Sequence, residues 1–585
     1  MRASFALFFG LVICTCAWAN PTEQRFQALY QKEWAWRLKQ FPQLATAVGV
    51  HAYDAELGHV DGKSQAARLR YWTAVRAELT QLDVSSLPAT AQVDYAIYQA
   101  QLDNLIAAVE LGSWLMPMTS DSSFYADLIT IAQSHPAASQ QDAANYLARL
   151  RAVPKYFAEY ESVLREAVKR GMTLPSVVLA GRDAAIREVA EAKDPSATGF
   201  YHYQKRLPAS LSLAERTAYG GELRSAIADS VIPAYRKLLA FYHAQYLPNA
   251  RKSIAAHELP NGQQWYRAQI QEHTTLALSP EQIHDIGLAE VRRIRAQMQE
   301  VITQTKFQGD FAAFLQFLRT DPQFYAKTPR ELLMRASYIA KRVDGELPKY
   351  FGQLPRLPYG VAPVPAAIAP YYTSGRYSPA AEGGRTAGFY WVNTWKLEAR
   401  PLYALPALTL HESVPGHHLQ LALASEQGAQ PDFRRYGTTS AFVEGWALYA
   451  EHLGVEMGIY EGPYENFGRL TYEMWRACRL VVDTGMHAKG WSRARALALL
   501  RDHTALSEHE ITNEVDRYIS WPGQALSYKL GELKIRELRK RAEQQLGKAF
   551  DLRAFHDAVL ALGSVPLPVL EQHVDAFIAE RKSAR

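Results

Sequence analysis

The sequence of 585 residues has few of the features by which small or exported proteins are commonly stabilised. It contains only three cysteines, and two of them, Cys14 and Cys16, lie within the first twenty residues. If that segment is removed, Cys478 is left alone and no internal disulfide is possible. Stability must then come from a packed core, and a chain of this length readily buries one.

Charge of one sign and long apolar runs are also scarce. Lys and Arg number 64 against 59 Asp and Glu, a formal net charge of +5 spread over the whole chain. No basic block is dense enough for a nucleic-acid footprint, so we expect no nucleic-acid partner. Beyond the N-terminus no apolar run reaches the roughly 20 residues that span a bilayer, so we expect no membrane span in the mature chain.

The one long apolar stretch lies at the N-terminus. A basic residue is followed by an apolar run to about Cys16 and then by the small-x-small triplet at 17–19. This order is typical of a secretory signal peptide. A lipoprotein is disfavoured because neither Cys14 nor Cys16 follows the small residue expected before a lipid-modified cysteine. We predict a signal peptide over residues 1–19, cleaved after Ala19, and a periplasmic or secreted protein.

Most of the remaining chain has the periodicity of amphipathic helices. Apolar residues recur at spacings of three and four, as in 143–171 and 279–305. The exception is 353–395, which is rich in Pro, Gly and Tyr and ends in a short strand candidate. We predict a mainly α protein with an N-terminal helical region over residues 20–270 and a C-terminal helical catalytic region over residues 271–585. The irregular segment is either functional or a structural wrap over the surface.

The segment "HESVPGHH", residues 411–418, combines three histidines and a glutamate in eight positions. Zinc peptidases commonly carry His-Glu-x-x-His, with both histidines on one face of a helix. Here the position four residues after His411 is Pro415. On an undisturbed helix His417 would lie about 120° off that face, whereas His418 would share the face but lie about 10 Å along the axis. Neither histidine completes a site unless the helix is broken.

The proline and glycine in the segment supply such a break. Pro415 cannot donate to the carbonyl four residues earlier, and Gly416 tolerates unusual backbone angles. If the two extra residues bulge out, His417 becomes the second ligand and Glu412 lies beside the metal, where it can take a proton from water. His418 remains an alternative, because the sequence does not fix the geometry of the bulge. The other interpretation is a surface histidine cluster at a helix kink.

A third ligand is expected, because a catalytic zinc takes three protein ligands and keeps one position open. The amphipathic segment 440–454 carries Glu444 and Glu451 on one helix face. We predict Glu444 as the third ligand and Glu451 as a partner that orients a histidine. The alternative for Glu444 is a solvated or capping carboxylate, but an unpaired carboxylate buried beside Phe442 and Trp446 would be costly.

The stretches "LHESVPGHHLQ", "FVEGWALYAE", "RLVVDTGMH" and "RYISWPGQALSYKLG" resemble the bacterial DUF885 family, a domain of unknown function. That family distantly resembles the helical zinc peptidases that include the oligopeptidases and the thermostable carboxypeptidases. The resemblance covers nearly all of the mature chain. It implies a large helical metallopeptidase-like fold with a small β-sheet beside the active-site cleft. It also implies one Zn²⁺ per chain bound by His411, His417 and Glu444, with Glu412 as the general base.

The resemblance also points to residues that would contact a substrate. Residues 514–531 are similar to a Gly/Tyr-rich stretch of the oligopeptidases in which a tyrosine hydroxyl donates to the tetrahedral oxyanion, and Tyr528 is the candidate for that role. Arg517 and Tyr518 are candidates for binding a substrate carboxylate. The alternative for each is a packed core or surface residue.

These features predict a secreted zinc peptidase that hydrolyses short peptides with a zinc-activated water and a glutamate base. The strand "GFYWVN" (388–393) is expected to offer an exposed edge along which an extended peptide adds. Two alternatives stay open: a zinc amidase that acts on cell-wall peptides, and a catalytically inactive helical binding protein.

Overall fold

The computed structural model describes residues 20–120, 122–366, 368–380 and 387–583. The predicted signal peptide therefore lies outside the described residues. The fold is mainly α, as predicted. The helices are, in chain order, α1 (Pro21–Gln40), α2 (Pro42–Ala47), α3 (Gly62–Leu79), α4 (Ala89–Glu110), α5 (Phe124–Ser134), α6 (Gln140–Arg170), α7 (Ser176–Leu179), α8 (Ala184–Ala190), α9 (Leu213–Ala226), α10 (Ile232–Phe241), α11 (Gly262–Thr274), α12 (Pro280–Thr305), α13 (Phe311–Thr320), α14 (Pro329–Tyr350), α15 (Leu405–Glu412), α16 (His417–Glu426), α17 (Asp432–Arg435), α18 (Ser440–Glu456), α19 (Gly462–Lys489), α20 (Arg493–His503), α21 (Glu508–Ser520), α22 (Ser527–Leu546), α23 (Leu552–Leu560) and α24 (Leu567–Ser583).

Local signals in the sequence set the ends of the longer helices. At the start of α6 the side chain of Ser139 accepts from the backbone N–H of Asp142, and the Asp142 carboxylate accepts in return, which satisfies two N–H groups that the helix leaves free. The same helix ends at Gly171, which adopts a left-handed conformation. Ser279 caps α12 in the same way, with Pro280 at its first position.

A three-stranded sheet is the only sheet in the part of the chain that the structure describes. It consists of β1 (Tyr359–Pro363), β2 (Gly375–Ser378) and β3 (Gly388–Val392), in the spatial order β1-β3-β2. Strand β3 pairs in parallel with β1 and antiparallel with β2. The prediction that 388–393 forms a strand is confirmed.

The prediction that this strand offers a free edge is wrong. Since β3 is the central strand, its hydrogen-bonding groups are used on both sides. Asn393, just after it, is fully buried, and its side-chain amide donates to the carbonyls of Ala369, Tyr372 and Thr373. Asn393 therefore closes the preceding loop instead of binding a peptide.

Helix α19 lies at the centre of the C-terminal half. Every residue from Phe467 to His487 is buried, and α12 packs along it. A helix covered on all sides must pair the charges that it carries. Two of its arginines, Arg476 and Arg479, form ion pairs with Glu451 and Glu514.

Helices α18 and α22 cross in close backbone contact at two glycines. A Cβ added to Gly531 would lie 1.9 Å from the carbonyl oxygen of Ala441, and a Cβ added to Gly445 would lie 2.5 Å from the backbone of Gly531. No side chain fits at this crossing, because any Cβ would overlap the facing backbone. The contact fixes Glu444, on α18, relative to Tyr528, on α22.

Among the described residues no helix is long and apolar enough to cross a membrane. The larger apolar core extends from Phe26 to Ile578, so it contains side chains from both sides of the predicted boundary at residue 270. The division into two helical regions remains a prediction.

Candidate metal centre

The segment between His411 and His417 leaves the helix and returns to it. Helix α15 ends at Glu412, the chain then runs through a cis Val414–Pro415 peptide, and α16 begins at His417. The N–H of Gly416 donates to the carbonyl of Leu410 at 3.0 Å.

The turn requires glycine at position 416. A Cβ there would lie 2.0 Å from the carbonyl oxygen of His411 and 2.4 Å from that of Leu410. The indole N–H of Trp446, on α18, donates to the carbonyl of Pro415 at 2.8 Å and holds the turn against that helix. The motif is thus an expanded one, with two residues looped out between its histidines.

The loop brings three potential ligands together. Nε2 of His411 lies 3.4 Å from Oε2 of Glu444, and Nε2 of His417 lies 3.5 Å from the same oxygen. One ligand atom of each residue lies within 4.8 Å of the others. His411 is buried, whereas the side chains of His417 and Glu444 keep 11% and 20% of their exposure, so the site is open on one side.

His411 is oriented from behind by a carboxylate. Its Nδ1 lies 2.8 Å from Oε1 of Glu451, which in turn lies 3.4 Å from Nη2 of Arg476. Burial acts to lower the pKa of His411, but the neighbouring carboxylates of Glu444 and Glu451 outweigh it and raise the pKa to about 9. The contact with Glu451 directs Nε2 toward the centre, as is usual for histidines that bind metals.

The third histidine of the motif faces away from the centre. Nδ1 of His418 lies 2.9 Å from the hydroxyl of Tyr377, and its ring packs 4.6 Å from that of Tyr359. Burial lowers the pKa of His418 to about 4. The geometry therefore groups His417, and not His418, with the other two potential ligands.

Glu412 is held beside the centre by the sheet. Its Oε2 accepts a hydrogen bond from the backbone N–H of Tyr377, on β2, at 2.7 Å. Tyr377 lies opposite Tyr390 of β3. In an antiparallel pair the N–H groups of alternate residues point away from the partner strand, and that of Tyr377 is donated to Glu412. The small sheet thus contacts the candidate general base through its backbone.

Tyr528 is half-buried at the start of α22. Its ring lies over two arginines of α19, with centroid distances of 4.1 Å to the guanidinium of Arg479 and 5.9 Å to that of Arg476. Through Arg476 and Glu451 this tyrosine is connected to His411. Two residues thus separate Tyr528 from a candidate metal ligand, and its role as oxyanion donor stays a prediction.

The prediction that Tyr518 contacts a substrate does not agree with its burial. The residue is 1% exposed, and its hydroxyl accepts from the indole of Trp475 and from Arg479 while donating to Glu514. All the hydrogen-bonding capacity of this hydroxyl is used inside the protein. Tyr518 instead positions Arg479.

Arg517 is also bound within the protein. Its guanidinium donates to Glu514 at 2.9 Å and to the side chain of Gln524 at 2.6 Å. Burial acts to lower the pKa of Arg517, but Glu514 and, to a lesser extent, Tyr528 outweigh it and hold that pKa well above the usual arginine value. To bind a substrate carboxylate, as predicted, Arg517 would have to release Glu514 and Gln524.

Two further residues at the centre were not predicted. Arg376, on β2, directly precedes Tyr377, whose N–H holds Glu412. The sequence around Arg376 matches no recognisable motif. Arg476 supports Glu451 from α19, where a charged residue within the buried stretch 467–487 needs a buried partner. The contact from Tyr377 uses its backbone, so no side-chain pattern could have revealed it.

The three potential ligands suit zinc. Two imidazoles and a carboxylate form a common donor set for a catalytic zinc, and the open side leaves room for a further ligand. Oε2 of Glu444 is a buried oxygen that makes no well-aligned hydrogen bond within the protein. A buried acceptor without a donor is costly, and a cation at this point would remove that cost.

Comparison with known families agrees with the sequence resemblance. The model of a family described as "Bacterial protein of unknown function (DUF885)" matches residues 42–574. The chain belongs to this family. A search among curated proteins found no significant match.

Two solved structures share the fold. One, described as a "putative lipoprotein" from Colwellia psychrerythraea, has 27% sequence identity and a TM-score of 0.89, over 96% of this chain and 99% of that one. A second, from Shewanella oneidensis and described as of unknown function, has 20% identity and a TM-score of 0.69, over 94% and 99%. A carboxypeptidase from Pyrococcus furiosus aligns with 12% identity over 89% and 97%, but its TM-score of 0.32 carries no argument.

Proposed function

We propose that this DUF885 protein is a zinc-dependent peptidase that hydrolyses short peptides outside the cytoplasm. The observation that carries the proposal is the convergence of His411, His417 and Glu444 within 4.8 Å beside a glutamate that a backbone N–H holds in place. A structural zinc site is closed by four protein ligands. Three ligands on the open side of a fold, next to a carboxylate, are more typical of catalysis.

The residues around the centre have separate roles in peptide hydrolysis. A zinc ion bound by the three ligands would supply the Lewis acidity that activates water and polarises the scissile carbonyl. Glu412, held at one oxygen by Tyr377, takes the proton of the attacking water and passes it to the leaving amine. Tyr528 donates a hydrogen bond to the oxygen on which negative charge develops.

The sequence and the similar proteins support a location outside the cytoplasm. The N-terminal segment has the pattern of a signal peptide, and the two proteins of similar fold are each described as a "putative lipoprotein". Short, unfolded peptides are the expected substrates, because candidate ligands that are largely buried are reached more readily by an extended segment than by a folded domain.

Zinc content tests the ligand assignment. We expect purified mature protein to bind close to one zinc ion per chain. His417→Ala should remove most of the metal because it deletes a ligand, whereas His418→Ala should retain it because that ring bonds to Tyr377. Elemental analysis of the three proteins, each checked for its helical content by circular dichroism, measures this. Loss of zinc in His418→Ala with retention in His417→Ala would show that the assignment is wrong.

A further inference from the structure

Arg376 is an arginine beside the metal centre for which the proposed mechanism has no role. It lies on β2 opposite Trp391 of β3, one residue before the N–H that holds Glu412. Successive side chains of a strand point to opposite faces. Tyr377 accordingly points inward to His418, and Arg376 points out of the other face of the sheet, where it is exposed.

The other arginines near the centre are bound to acids of the protein, but Arg376 is not. Arg479 and Arg517 share Glu514 at 2.9 Å each. Arg376 forms no ion pair with a carboxylate among the described residues, and its guanidinium lies over the ring of Tyr372 at 5.5 Å. Part of the hydrogen-bonding capacity of Arg376 is used on Tyr372, which fixes its direction, and no carboxylate of the described residues takes up the rest.

The electrostatic surroundings of Arg376 include groups of the candidate metal centre. Crowding by protein atoms acts to lower the pKa of its guanidinium. Tyr372 and Glu412 oppose this effect, as do Tyr528 and Glu444, and the pKa rises overall. The general base, the candidate oxyanion donor and a metal ligand thus all lie within electrostatic range of this one side chain.

We propose that Arg376 binds the free α-carboxylate at the C-terminus of the peptide, so that cleavage takes place near that end. This inference rests on the proposed peptidase function. The planar guanidinium forms two parallel hydrogen bonds with a carboxylate, a geometry that lysine or a neutral side chain cannot provide. Every unmodified peptide carries such a carboxylate. Because Arg376 is one residue along the strand from the contact with Glu412, the anchored terminus lies close to the scissile bond.

The first test compares turnover of matched peptides with a free or an amidated C-terminus. We expect the zinc-loaded wild type to prefer the free acid by roughly 10- to 100-fold in kcat/KM, the usual worth of hydrogen bonds between charged groups. Arg376→Gln should remove the preference by raising KM for the acid alone. Arg356→Gln, a change at an exposed arginine paired with Glu426, should leave it intact. An equal loss of kcat on both peptides in Arg376→Gln would overturn the proposal, since the residue would then act on the transition state.

A second arm distinguishes the terminal carboxylate from an acidic side chain. An amidated peptide with an internal glutamate should be no better a substrate than the neutral amide. If that glutamate restores the rate, Arg376 selects acidic side chains and the proposal is wrong.

Binding separates failure of this inference from failure of the proposed function. Glu412→Gln, loaded with zinc, is titrated by calorimetry with the free-acid and amide peptides, with and without Arg376→Gln. Tighter binding of the acid that depends on Arg376 would support the anchor even if the wild type cleaves neither peptide. Equal affinity for both peptides, or no binding of either, would overturn it.

Discussion

Glu451 orients a candidate metal ligand, His411, although it is not one of the three candidate ligands itself. It is 1% exposed and lies between the ring of His411 and the guanidinium of Arg476. A carboxylate in this position fixes the ring orientation and makes the distal nitrogen a better donor to the metal. The positive charge of Arg476 compensates the buried carboxylate, which would otherwise be costly.

Replacing this carboxylate should weaken zinc binding. For Glu451→Gln we expect the affinity for zinc to fall about 10- to 100-fold, the range typical of such supporting residues. Glu456→Gln is the matched control, because Glu456 lies on the same helix but pairs with Arg539 instead. Competition with a chromophoric chelator measures both constants. Zinc affinity in Glu451→Gln equal to that of the control would mean that His411 needs no carboxylate to orient it.

At the scale of elements, the crossing of α18 and α22 fixes Glu444 relative to Tyr528. The facing glycines bring one helix that carries a metal ligand against another that carries Tyr528. Because the two backbones touch, neither helix can shift without disturbing both residues.

A methyl group at this crossing should destabilise the fold. For Gly531→Ala we expect a loss of about 1–3 kcal/mol, since the new Cβ would overlap the carbonyl of Ala441 and the well-packed helices must move apart. Gly345→Ala on α14 is the control, because no atom lies within 4 Å of the added group there. Alanine at an exposed helical position should stabilise by about 0.5–1 kcal/mol. Thermal unfolding of the two variants should give shifts of opposite sign, and equal shifts would contradict the close contact.

The sequence predicted the elements better than their arrangement. Periodicity identified the helices, and the aromatic and β-branched residues identified β3, because both signals are local. The position of β3 at the centre of the sheet depends on partners in a Pro- and Gly-rich segment that has no strand-like alternation. Tyr518 and Tyr528 occur in one family-like stretch, but the first is buried with its hydroxyl bonded to Trp475, and the second is half-buried with its ring over Arg479.

The same limit applied to the histidines of the motif. His411, Glu412 and Glu444 could be assigned from residue type and spacing, since those preferences follow from metal chemistry. The choice between His417 and His418 depended on the path of a four-residue turn. That path is set by hydrogen bonds to Leu410 and Pro415 that no spacing rule encodes.

At the scale of the whole molecule, the candidate site is supported by the buried stretch 467–487 of α19, which carries several charged residues. Helix α19 supplies Arg476 behind the metal centre and Arg479 beneath Tyr528. The core that covers this helix extends through both halves of the chain. A large helical scaffold of this kind can hold a few charged groups in fixed positions out of water, which an electrostatic mechanism requires.

Digestion of a peptide library tests the account most directly. Zinc-loaded wild type and Glu412→Gln are incubated with the library, and the products are read by mass spectrometry alongside the zinc content. We predict that the wild type cleaves short peptides and that Glu412→Gln keeps its zinc and fold while activity falls by roughly 10²–10⁴, the worth of a positioned general base. A zinc-loaded wild type that leaves the library intact, or a Glu412→Gln variant as active as the wild type, would contradict the proposed peptidase mechanism.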